Sequence, residues 1–422
     1  MNIDHHPCFN DGARHRFGRI HLPVASRCNI QCRFCNRKFD CVNESRPGVT
    51  SAVLKPAEAL GYLDEVMAEK KNISVVGIAG PGDPFANAEE TIETLSLVRK
   101  KYSEMLLCVA SNGLNVYPYA DALKALQVSH VTITVNAVDP KIASKVYAWV
   151  RVGKRVVSGE KGVNTLLESQ IRSIKALKQA GITVKVNTII IPGVNDHHIE
   201  TVAERMKTLD VDILNCVAYY PNDGAEFRDI PEPSKEMVMD IRKKAGKHIK
   251  QMHHCTRCRA DAVGLLGEKT DMAMINVLKK WQNGGEKENV LPVPSGNIAV
   301  ASMEGVLINQ HLGEANQLYI YGKKGSKAAF MGTRSTPPRG TGMARWNQLY
   351  TAINDCDTLL VSGIGDTPRD LLTRKGMRIL EIEGMIEDAV NAIIQGEPIR
   401  HMKKRQGGGC DGACRGGGTG CG

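Results

Sequence analysis

Six short apolar segments alternate with helical patterns along the first 220 residues of the 422-residue chain, and this alternation constrains the fold more than any other feature. Each segment is short and often β-branched, as buried parallel strands are. The predicted strands are Arg19–Val24, Ile73–Ala79, Met105–Ala110, Val131–Val135, Thr183–Ile190 and Ile213–Tyr219, and helical spacing marks Pro56–Lys70, Glu90–Lys101 and Leu166–Ala180. The sequence therefore predicts an α/β fold with a partial (βα)6 TIM-like barrel, whose chemistry sits at the C-terminal ends of the strands.

A cysteine motif of C-x3-C-x2-C spacing follows the first predicted strand, and its members are Cys28, Cys32 and Cys35. Three thiolates on one short loop can hold three irons of a [4Fe–4S] cube, because soft sulfur ligands suit iron–sulfur clusters. The fourth iron then has no protein ligand and can chelate a substrate. A zinc knuckle or three scattered thiols is the less specific interpretation of the same residues.

This loop, with Phe34 just before its last cysteine, resembles the cluster loop of the radical S-adenosylmethionine (radical SAM) family. The resemblance implies that Cys28, Cys32 and Cys35 are catalytic and hold a [4Fe–4S] cluster whose open iron binds SAM. Reduction then splits the sulfonium and gives a 5′-deoxyadenosyl radical. It also implies that the loop Gly80–Pro84 holds the SAM amino group, although Asp83 stands where glutamate is common.

Further polar residues near the strand ends are candidate contacts to the ribose and carboxylate of SAM. The candidates for SAM binding are Gly80, Gly82, Asp83, Ser111, Asn112, Asn136 and Asn187. Ordinary turn chemistry explains such residues equally well, because Asn and Gly cap strands in many proteins.

Five more cysteines and one histidine are candidate ligands for additional clusters: Cys8, Cys41, Cys108, Cys255, Cys258 and His21. The C-x2-C spacing of Cys255 and Cys258 is typical of one metal clip. Two further cubes would want up to eight ligands, so histidine, shared ligands or a bridging sulfide would complete them. Cys216 and Cys356 are interpreted as small buried apolar residues.

Several stretches together resemble the NifB family of nitrogenase cofactor-biosynthesis proteins: His6–Phe9, Arg19–Ala25, Cys28–Cys41, Gly77–Pro84 and His253–Arg259. The resemblance implies fusion of two [4Fe–4S] clusters, with a SAM-derived carbide and an added sulfur, into an [8Fe–9S–C] precursor. It implies that the five thiols and His21 hold the two substrate clusters. It also implies four kinds of partner: Fe–S donor proteins, an electron donor such as ferredoxin, cofactor carriers and a NifEN-type scaffold.

Two other interpretations remain open at this point. One is a different radical SAM enzyme with auxiliary clusters, such as a peptide maturase, although those usually end in a longer cysteine-rich module. The other is a non-catalytic Fe–S carrier, which would not need an open iron.

The rest of the chain divides into a linker, a second domain and a tail. The predicted boundaries are 1–275 for the barrel with its cluster-binding extensions, 276–295 for the linker, 296–400 for the second domain and 401–422 for the tail. Strands are predicted at Ile298–Met303, Gln317–Tyr321, Ala328–Met331 and Thr358–Val361, and helices at Met343–Asn354, Pro368–Arg374 and Met385–Gln395. The Gly-rich tail carries Cys410, Cys414 and Cys421, which suggest either a disordered end or a metal-scavenging arm.

The second domain resembles the NifX/NafY family of cofactor carriers at Ile308–Ala315 and Ser362–Pro368. The resemblance implies a ribonuclease H-like α/β domain that binds iron–sulfur cofactors. His311 is a candidate ligand there, and a loop histidine with ordinary hydrogen bonds is an equal alternative.

Composition restricts the compartment and the partners. Thirteen cysteines without an export signal favour metal or catalytic use over disulfides, and hence a cytoplasmic protein. The formal net charge of +10 is spread along the chain without a nucleic-acid-binding motif, so no nucleic acid partner is expected. No apolar run approaches the length of a membrane span, so no membrane partner is expected.

Overall fold

The computed structural model describes residues 3–44, 50, 52–255, 257–268, 271–282, 292–325, 327–397, 399 and 402. The chain divides into two compact units. The first contains Met1–Val152 and Val157–Glu286, and the second contains Gly153–Val156 and Lys287–Gly422. The predicted tail cysteines and residues 283–291 of the predicted linker lie outside the described residues.

The first unit alternates strands and helices throughout. Its strands are β1 Gly18–His21, β2 Ile30–Cys32, β3 Ile73–Ile78, β4 Leu106–Ser111, β5 Val128–Thr134, β6 Tyr147–Val152, β7 Arg155–Ser158, β8 Thr183–Ile190, β9 Ile213–Ala218 and β10 Val263–Gly264. The first two residues of β7, Arg155 and Val156, are grouped with the second unit. Its helices are α1 Pro56–Glu69, α2 Ala88–Lys101, α3 Ala120–Ala125, α4 Pro140–Val146, α5 Gly159–Gln179, α6 Ile199–Thr208, α7 Lys235–Ala245 and α8 Met272–Gln282.

The main sheet confirms the predicted partial barrel. It has seven strands in the order β10-β1-β3-β4-β5-β8-β9, and every pair from β1 to β9 is parallel. All six predicted strands are present, with ends that differ from the prediction by at most three residues, and β8 matches it at both ends. Helices follow these strands, so the unit has the βα repeat of a barrel that is open between β9 and β1.

Alternation along each strand separates the apolar core from the barrel interior. Val184 and Val186 on β8 are fully buried in the hydrophobic core, which also contains residues of the surrounding helices. Lys185 and Asn187, between and after them, line an interior cavity together with Cys108 of β4. The period-two alternation of the strands therefore directs these polar and thiol side chains into the barrel interior.

Both open edges of the half-barrel are paired by one returning segment, residues 251–264, which we call the closing segment. Gln251 bridges to Leu214 of the edge strand β9. At the other end, Gly264 of β10 pairs with Arg19 of β1 in antiparallel fashion. The closing segment thus runs from one edge of the sheet to the other and covers backbone groups that an open barrel would expose.

Two features of the first unit differ from the prediction. A separate sheet, β2-β6-β7, was not predicted, and it pairs the cluster loop with the chain after α4. The predicted linker starts at residue 276, but α8 continues to Gln282. The reason is packing: Leu278 is fully buried, and the Trp281 indole donates to Glu65 of α1 at 2.9 Å.

The second unit is a smaller α/β domain. Its strands are β11 Asn297–Ala301, β12 Leu307–Ile308, β13 Gln317–Lys324, β14 Lys327–Ser335, β15 Cys356–Val361, β16 Arg378–Glu381 and β17 Gly384–Met385, and its helices are α9 Met343–Ala352, α10 Asp366–Arg374 and α11 Ile386–Gln395. The five-stranded sheet has the order β14-β13-β11-β15-β16, in which β13 is antiparallel to both of its neighbours. This is the predicted ribonuclease H-like arrangement, and β16 is the sheet strand that the sequence did not reveal.

Within the described ranges, none of the helices combines the length and apolarity that a membrane crossing requires.

Candidate functional site

The loop that carries the cysteine motif is fixed by its own backbone contacts. Its middle forms β2, which pairs with β6. The side-chain amide of Gln31 donates to the carbonyls of Cys32 and Cys35 at 3.0 and 2.8 Å, and Arg37 in turn donates to Gln31 at 2.9 Å. Phe34 is fully buried beneath the loop. The three cysteines are therefore presented by a rigid turn at the C-terminal end of β1.

Cys41 joins these three cysteines. Burial raises the pKa of Cys32 well above its ordinary value, and the thiols of Cys35, Cys28 and Cys41 raise it further. Burial likewise raises the pKa of Cys41, and the thiols of Cys35 and Cys28 and the Glu44 carboxyl add to the rise. The Asn43 amide lies 3.7 Å from the Cys32 sulfur and 3.6 Å from the Cys41 sulfur. The sequence grouped Cys41 with the additional clusters, whereas the structure brings it beside the motif.

The loop after β3 contacts the backbone that leads into the motif. The Gly82 amide donates to the Ala25 carbonyl at 2.6 Å, and the Asp83 amide donates to the Arg27 carbonyl at 2.7 Å. A Cβ atom on Gly82 would lie 2.2 Å from that Arg27 oxygen, so only glycine fits. Gly80 has a φ of +144°, which also favours glycine. These glycines let the two loops approach each other at the active end.

Asp83 is buried and already fully bonded within the protein. Its carboxylate accepts from the Phe85 and Ala86 amides at 2.9 and 3.2 Å, from the Ser111 hydroxyl at 3.0 Å and from the Asn112 amide at 2.7 Å. Burial raises the pKa of Asp83, and these donors oppose that rise. The Asp83 side chain therefore orients the turn after β4. In that turn, the side-chain Nδ2 of Asn112 lies 3.9 Å from the Cys28 sulfur.

The other two predicted SAM contacts belong to a buried polar network. Asn136 donates to Asn43 at 3.2 Å and accepts from the Ile189 amide at 2.9 Å. Asn187 donates to the Glu44 carboxylate at 2.9 Å. The network ties the segment after the motif to the ends of β5 and β8.

A cavity inside the barrel collects the remaining candidate ligands. Its lining includes four cysteines and the predicted histidine: Cys8, Cys108, Cys255, Cys258 and His21. Burial raises the pKa of Cys8, and the neighbouring thiols of Cys258, Cys108 and Cys255 add to the rise while Lys185 opposes it. Burial also raises the pKa of Cys108 to about 12. The structure therefore forms two thiol groups, one at the active end and one within the barrel.

His21 is prepared as a neutral ligand. Burial lowers its pKa to about 4, so the ring is uncharged at neutral pH. Its Nδ1 lies 3.0 Å from the Arg259 carbonyl, which can only accept, so the proton resides on Nδ1 and the Nε2 lone pair is available. Gly77 opposite leaves room for the ring, since a Cβ there would lie 2.9 Å from it.

The closing segment and the N-terminal segment bring distant cysteines to the cavity. Arg19 donates to the Cys258 sulfur at 3.2 and 3.3 Å from the first strand. On the other side, His254 contacts the Pro7 carbonyl at 3.0 Å, and His6 accepts from the Cys8 amide at 3.2 Å. Neighbouring polar side chains therefore hold Cys8 and Cys258 at the cavity, and the His254 contact ties the closing segment to the N-terminal segment.

The donor chemistry of both groups fits iron–sulfur clusters. Sulfur-rich sets are suited to such clusters, and unpaired thiolates in a buried site need a cationic centre to offset their charge. No three His, Cys, Asp or Glu side chains among the described residues converge on a single metal ion. The groups therefore do not resemble a one-ion zinc site.

Four charged residues of the cavity were not predicted: Arg19, Glu44, Lys185 and Arg257. Glu44 accepts from Thr134 at 3.0 Å, and burial raises its pKa. The sequence could have indicated Lys185, because a lysine within the apolar, β-branched strand β8 indicates that one face of this strand is polar. No sequence pattern indicated Arg257, because its place in the cavity depends on the path of the closing segment.

In the second unit, His311 serves as a backbone cap. Its ring accepts from the Gly313 amide at 3.1 Å, and it bridges to Gly363 in the turn after β15. A Cβ on Gly363 would lie 2.9 Å from the His311 ring. The two stretches that resemble the carrier family are thus adjacent, and the role of His311 as a ligand stays a prediction.

Known protein families match both units of the chain. The radical SAM superfamily model matches residues 22–206, and the model described as dinitrogenase iron-molybdenum cofactor matches residues 296–396. The FeMo cofactor biosynthesis protein NifB of Chlorobaculum tepidum is 50% identical over 425 residues, covering 100% of this chain and 99% of the relative. NifB of Klebsiella pneumoniae is 35% identical over 404 residues, covering 88% and 86%. The chain therefore belongs to the NifB family of FeMo cofactor biosynthesis proteins and is a radical SAM enzyme.

Proposed function

We propose that this chain fuses two [4Fe–4S] substrate clusters into an [8Fe–9S–C] precursor of the nitrogenase cofactor. The central carbon comes from SAM, and one sulfur is added because two cubes contain eight sulfides. The observation that carries the proposal is the interior cavity, where four thiols and His21 line one space inside the barrel. A radical SAM enzyme that acts on a small organic substrate would not need this many soft ligands there.

The two thiol groups have separate roles in this proposal. Cys28, Cys32 and Cys35 hold the resident [4Fe–4S] cluster, which supplies reductive cleavage of SAM when bound. Cys8, Cys108, Cys255, Cys258 and His21 hold the substrate clusters. Cys41 serves a substrate cluster from the side of the motif, since Glu44 both influences its thiol and lines the cavity.

The SAM contacts are proposed around the same loop. Gly80 and Gly82 allow close approach of the ligand to the backbone. Asp83 acts by orienting Ser111 and Asn112, because its carboxylate already accepts hydrogen bonds from three backbone amides and one hydroxyl. Asn136 and Asn187 complete the polar wall through the network that holds Glu44.

The second unit is proposed to bind the iron–sulfur product or its carrier. The match to the dinitrogenase iron-molybdenum cofactor model supports this role. The proposed partners are Fe–S donor proteins, a reductant such as ferredoxin, cofactor carriers and a NifEN-type scaffold, all parts of nitrogenase cofactor maturation.

Anaerobic reconstitution tests the proposal. The protein is loaded with iron and sulfide, its iron is counted, and SAM and dithionite are added. We expect both S-adenosylhomocysteine, from methyl transfer, and 5′-deoxyadenosine, from radical formation. Formation of 5′-deoxyadenosine alone would mean ordinary radical chemistry and would refute cluster carbide insertion.

A further inference from the structure

Two cationic side chains face the interior cavity with hydrogen-bonding capacity to spare. Lys185 is only 7% exposed, and its Nζ has no hydrogen bond or ion pair to any residue that the structure describes. Arg257 is 8% exposed, and its Nη1 is buried without a hydrogen-bond partner. Its Nη2 donates to the Ala218 carbonyl, which fixes the guanidinium in place.

Both cations are held in position from several sides. Lys185 pairs across the sheet with Thr132, so the strand register directs it inward. Its ammonium lies 5.7 Å from the centre of the Phe9 ring, next to Cys8. Arg257 lies 4.8 Å from the Tyr220 ring and belongs to the closing segment between Cys255 and Cys258. Cys8, Cys108 and Cys255 interact electrostatically with Lys185, and Cys255 also interacts with Arg257, so the two cations face one shared group of cavity thiols.

The charges that line the cavity do not balance. Arg19, Lys185 and Arg257 are positive, and Glu44 is the one carboxylate among the lining residues. Arg19 is already bonded to the Cys258 sulfur and to the Gly264 and Leu265 carbonyls. Burying a charge without a partner costs several kcal/mol, so the site is complementary to an anion that reaches Lys185 and Arg257.

We propose that Lys185 and Arg257 bind the anionic substrate clusters directly, by donating N–H···S hydrogen bonds to their inorganic sulfides. This inference rests on the proposed function and adds two substrate-binding residues that are not metal ligands. A thiolate-ligated [4Fe–4S] cube carries net negative charge, and its sulfides accept hydrogen bonds that raise its reduction potential. The thiols anchor the irons, and the two cations hold the sulfides.

Lys185→Met, Lys185→Arg and Arg257→Met provide the test, with Lys124→Met as a control that removes an exposed charge on α3. Each protein is reconstituted anaerobically, and two readouts are taken without turnover. One is the rate at which an external chelator removes iron. The other is the reduction potential of each cluster, followed by electron paramagnetic resonance.

We expect Lys185→Met and Arg257→Met to lose substrate-cluster iron roughly tenfold faster, since a charge-assisted hydrogen bond is worth about one factor of ten or more. The potential of the substrate clusters should fall, while that of the SAM-binding cluster stays constant. Lys185→Arg should restore most of the retention, and Lys124→Met should behave as the wild type. The unchanged SAM-binding cluster reports that each variant is folded.

Two different failures can be told apart. A full set of clusters in the wild type, with unchanged iron loss and potentials in Lys185→Met and Arg257→Met, would overturn this inference and leave the proposed function intact. A wild-type protein that takes up a single cube only would overturn both, because no anionic substrate would then occupy the cavity.

Discussion

At the scale of single residues, His21 shows how the fold selects a protonation state. Burial keeps the imidazole neutral, and the Arg259 carbonyl fixes its proton on Nδ1. A solvent-exposed histidine would distribute its proton between both nitrogens and would be charged at moderately low pH. The barrel interior therefore keeps the Nε2 lone pair of His21 available to a ligand without the loss of a proton from the ring.

Replacement of Cys28, Cys32 or Cys35 by alanine should abolish SAM cleavage. The motif offers three thiols for three irons, so the loss of one removes the support for a cube with a single open iron. The measurement is 5′-deoxyadenosine formed by the reconstituted protein with dithionite. Cys216→Ala is the control, because this thiol is fully buried in the apolar core. Unchanged 5′-deoxyadenosine in a motif variant would disprove the assignment.

The sequence identified the thiols of the site but not its charges. Cysteine spacing is a local property, so the C-x3-C-x2-C motif and the Cys255–Cys258 pair could be recognised directly. Asp83 stays a predicted SAM contact, and its bonds to Ser111 and Asn112, which the sequence did not reveal, arise only when β3 and β4 lie side by side. Sequence separation hides such pairs, because nothing local marks which strands are neighbours.

At the scale of elements, the closing segment carries two of the interior thiols. Replacement of both Cys255 and Cys258 by alanine should leave the SAM-binding cluster intact but prevent formation of the eight-iron product. Iron content should fall by about one cube. Electron paramagnetic resonance with SAM measures the first effect, and product analysis measures the second.

Cys216→Ala with Cys356→Ala is the matched control, since it removes two buried thiols outside the cavity. Normal product formation by the Cys255/Cys258 double variant would mean that these thiols are structural. Loss of the SAM-shifted signal would mean instead that the closing segment supports the motif.

The turn before β15 gives the second unit a pH-dependent contribution to stability. Asp355 accepts from Arg334 at 2.8 Å and from Asn297 at 2.7 Å, and the Arg334 bond holds the pKa of Asp355 well below its ordinary value of 3.8. A carboxyl with a lowered folded-state pKa stabilises the protein above its unfolded-state pKa, and this stabilisation disappears as the pH falls through the folded-state value.

Asp355→Asn should therefore lower the free energy of unfolding of this unit by roughly 0.2–1 kcal/mol at pH 7, the range measured for exposed ion pairs. The difference from the wild type should shrink as the pH falls below about 4. Calorimetry across this range measures it, with Asp370→Asn on the exposed side of α10 as the control. A difference that grows on acidification would contradict the assigned pair.

Most strand and helix positions of the barrel were predictable because the βα repeat is periodic, whereas the strand β2 and the helix α8 were not. β2 is three residues long and overlaps the cysteine motif, so its pairing with β6 has no pattern of its own. The predicted linker began within α8, whose Leu278 and Trp281 pack toward α1. A partner distant in sequence decided both outcomes: the strand β6 for β2, and the helix α1 for α8.

At the scale of the whole molecule, the SAM-related residues and the cavity thiols all belong to the first unit. A chain ended near Asn289, which lies outside the described residues, should therefore still produce S-adenosylhomocysteine and 5′-deoxyadenosine. The full-length protein, reconstituted in parallel, is the control. Loss of methyl transfer in the shortened chain would show that the second unit takes part in the reaction.

The closing segment also has a thermodynamic consequence. It is attached to β9 at Gln251 and to β1 at Gly264, with Cys255 and Cys258 between these points. A cluster that binds both cysteines binds the closed form only, so each loaded cluster lowers the population in which these edge pairs are broken. Under the proposed function, the closing segment that protects a bound cluster is also the segment that would open to release the product. The rate of product release would then report how stable the edge pairs of this segment are.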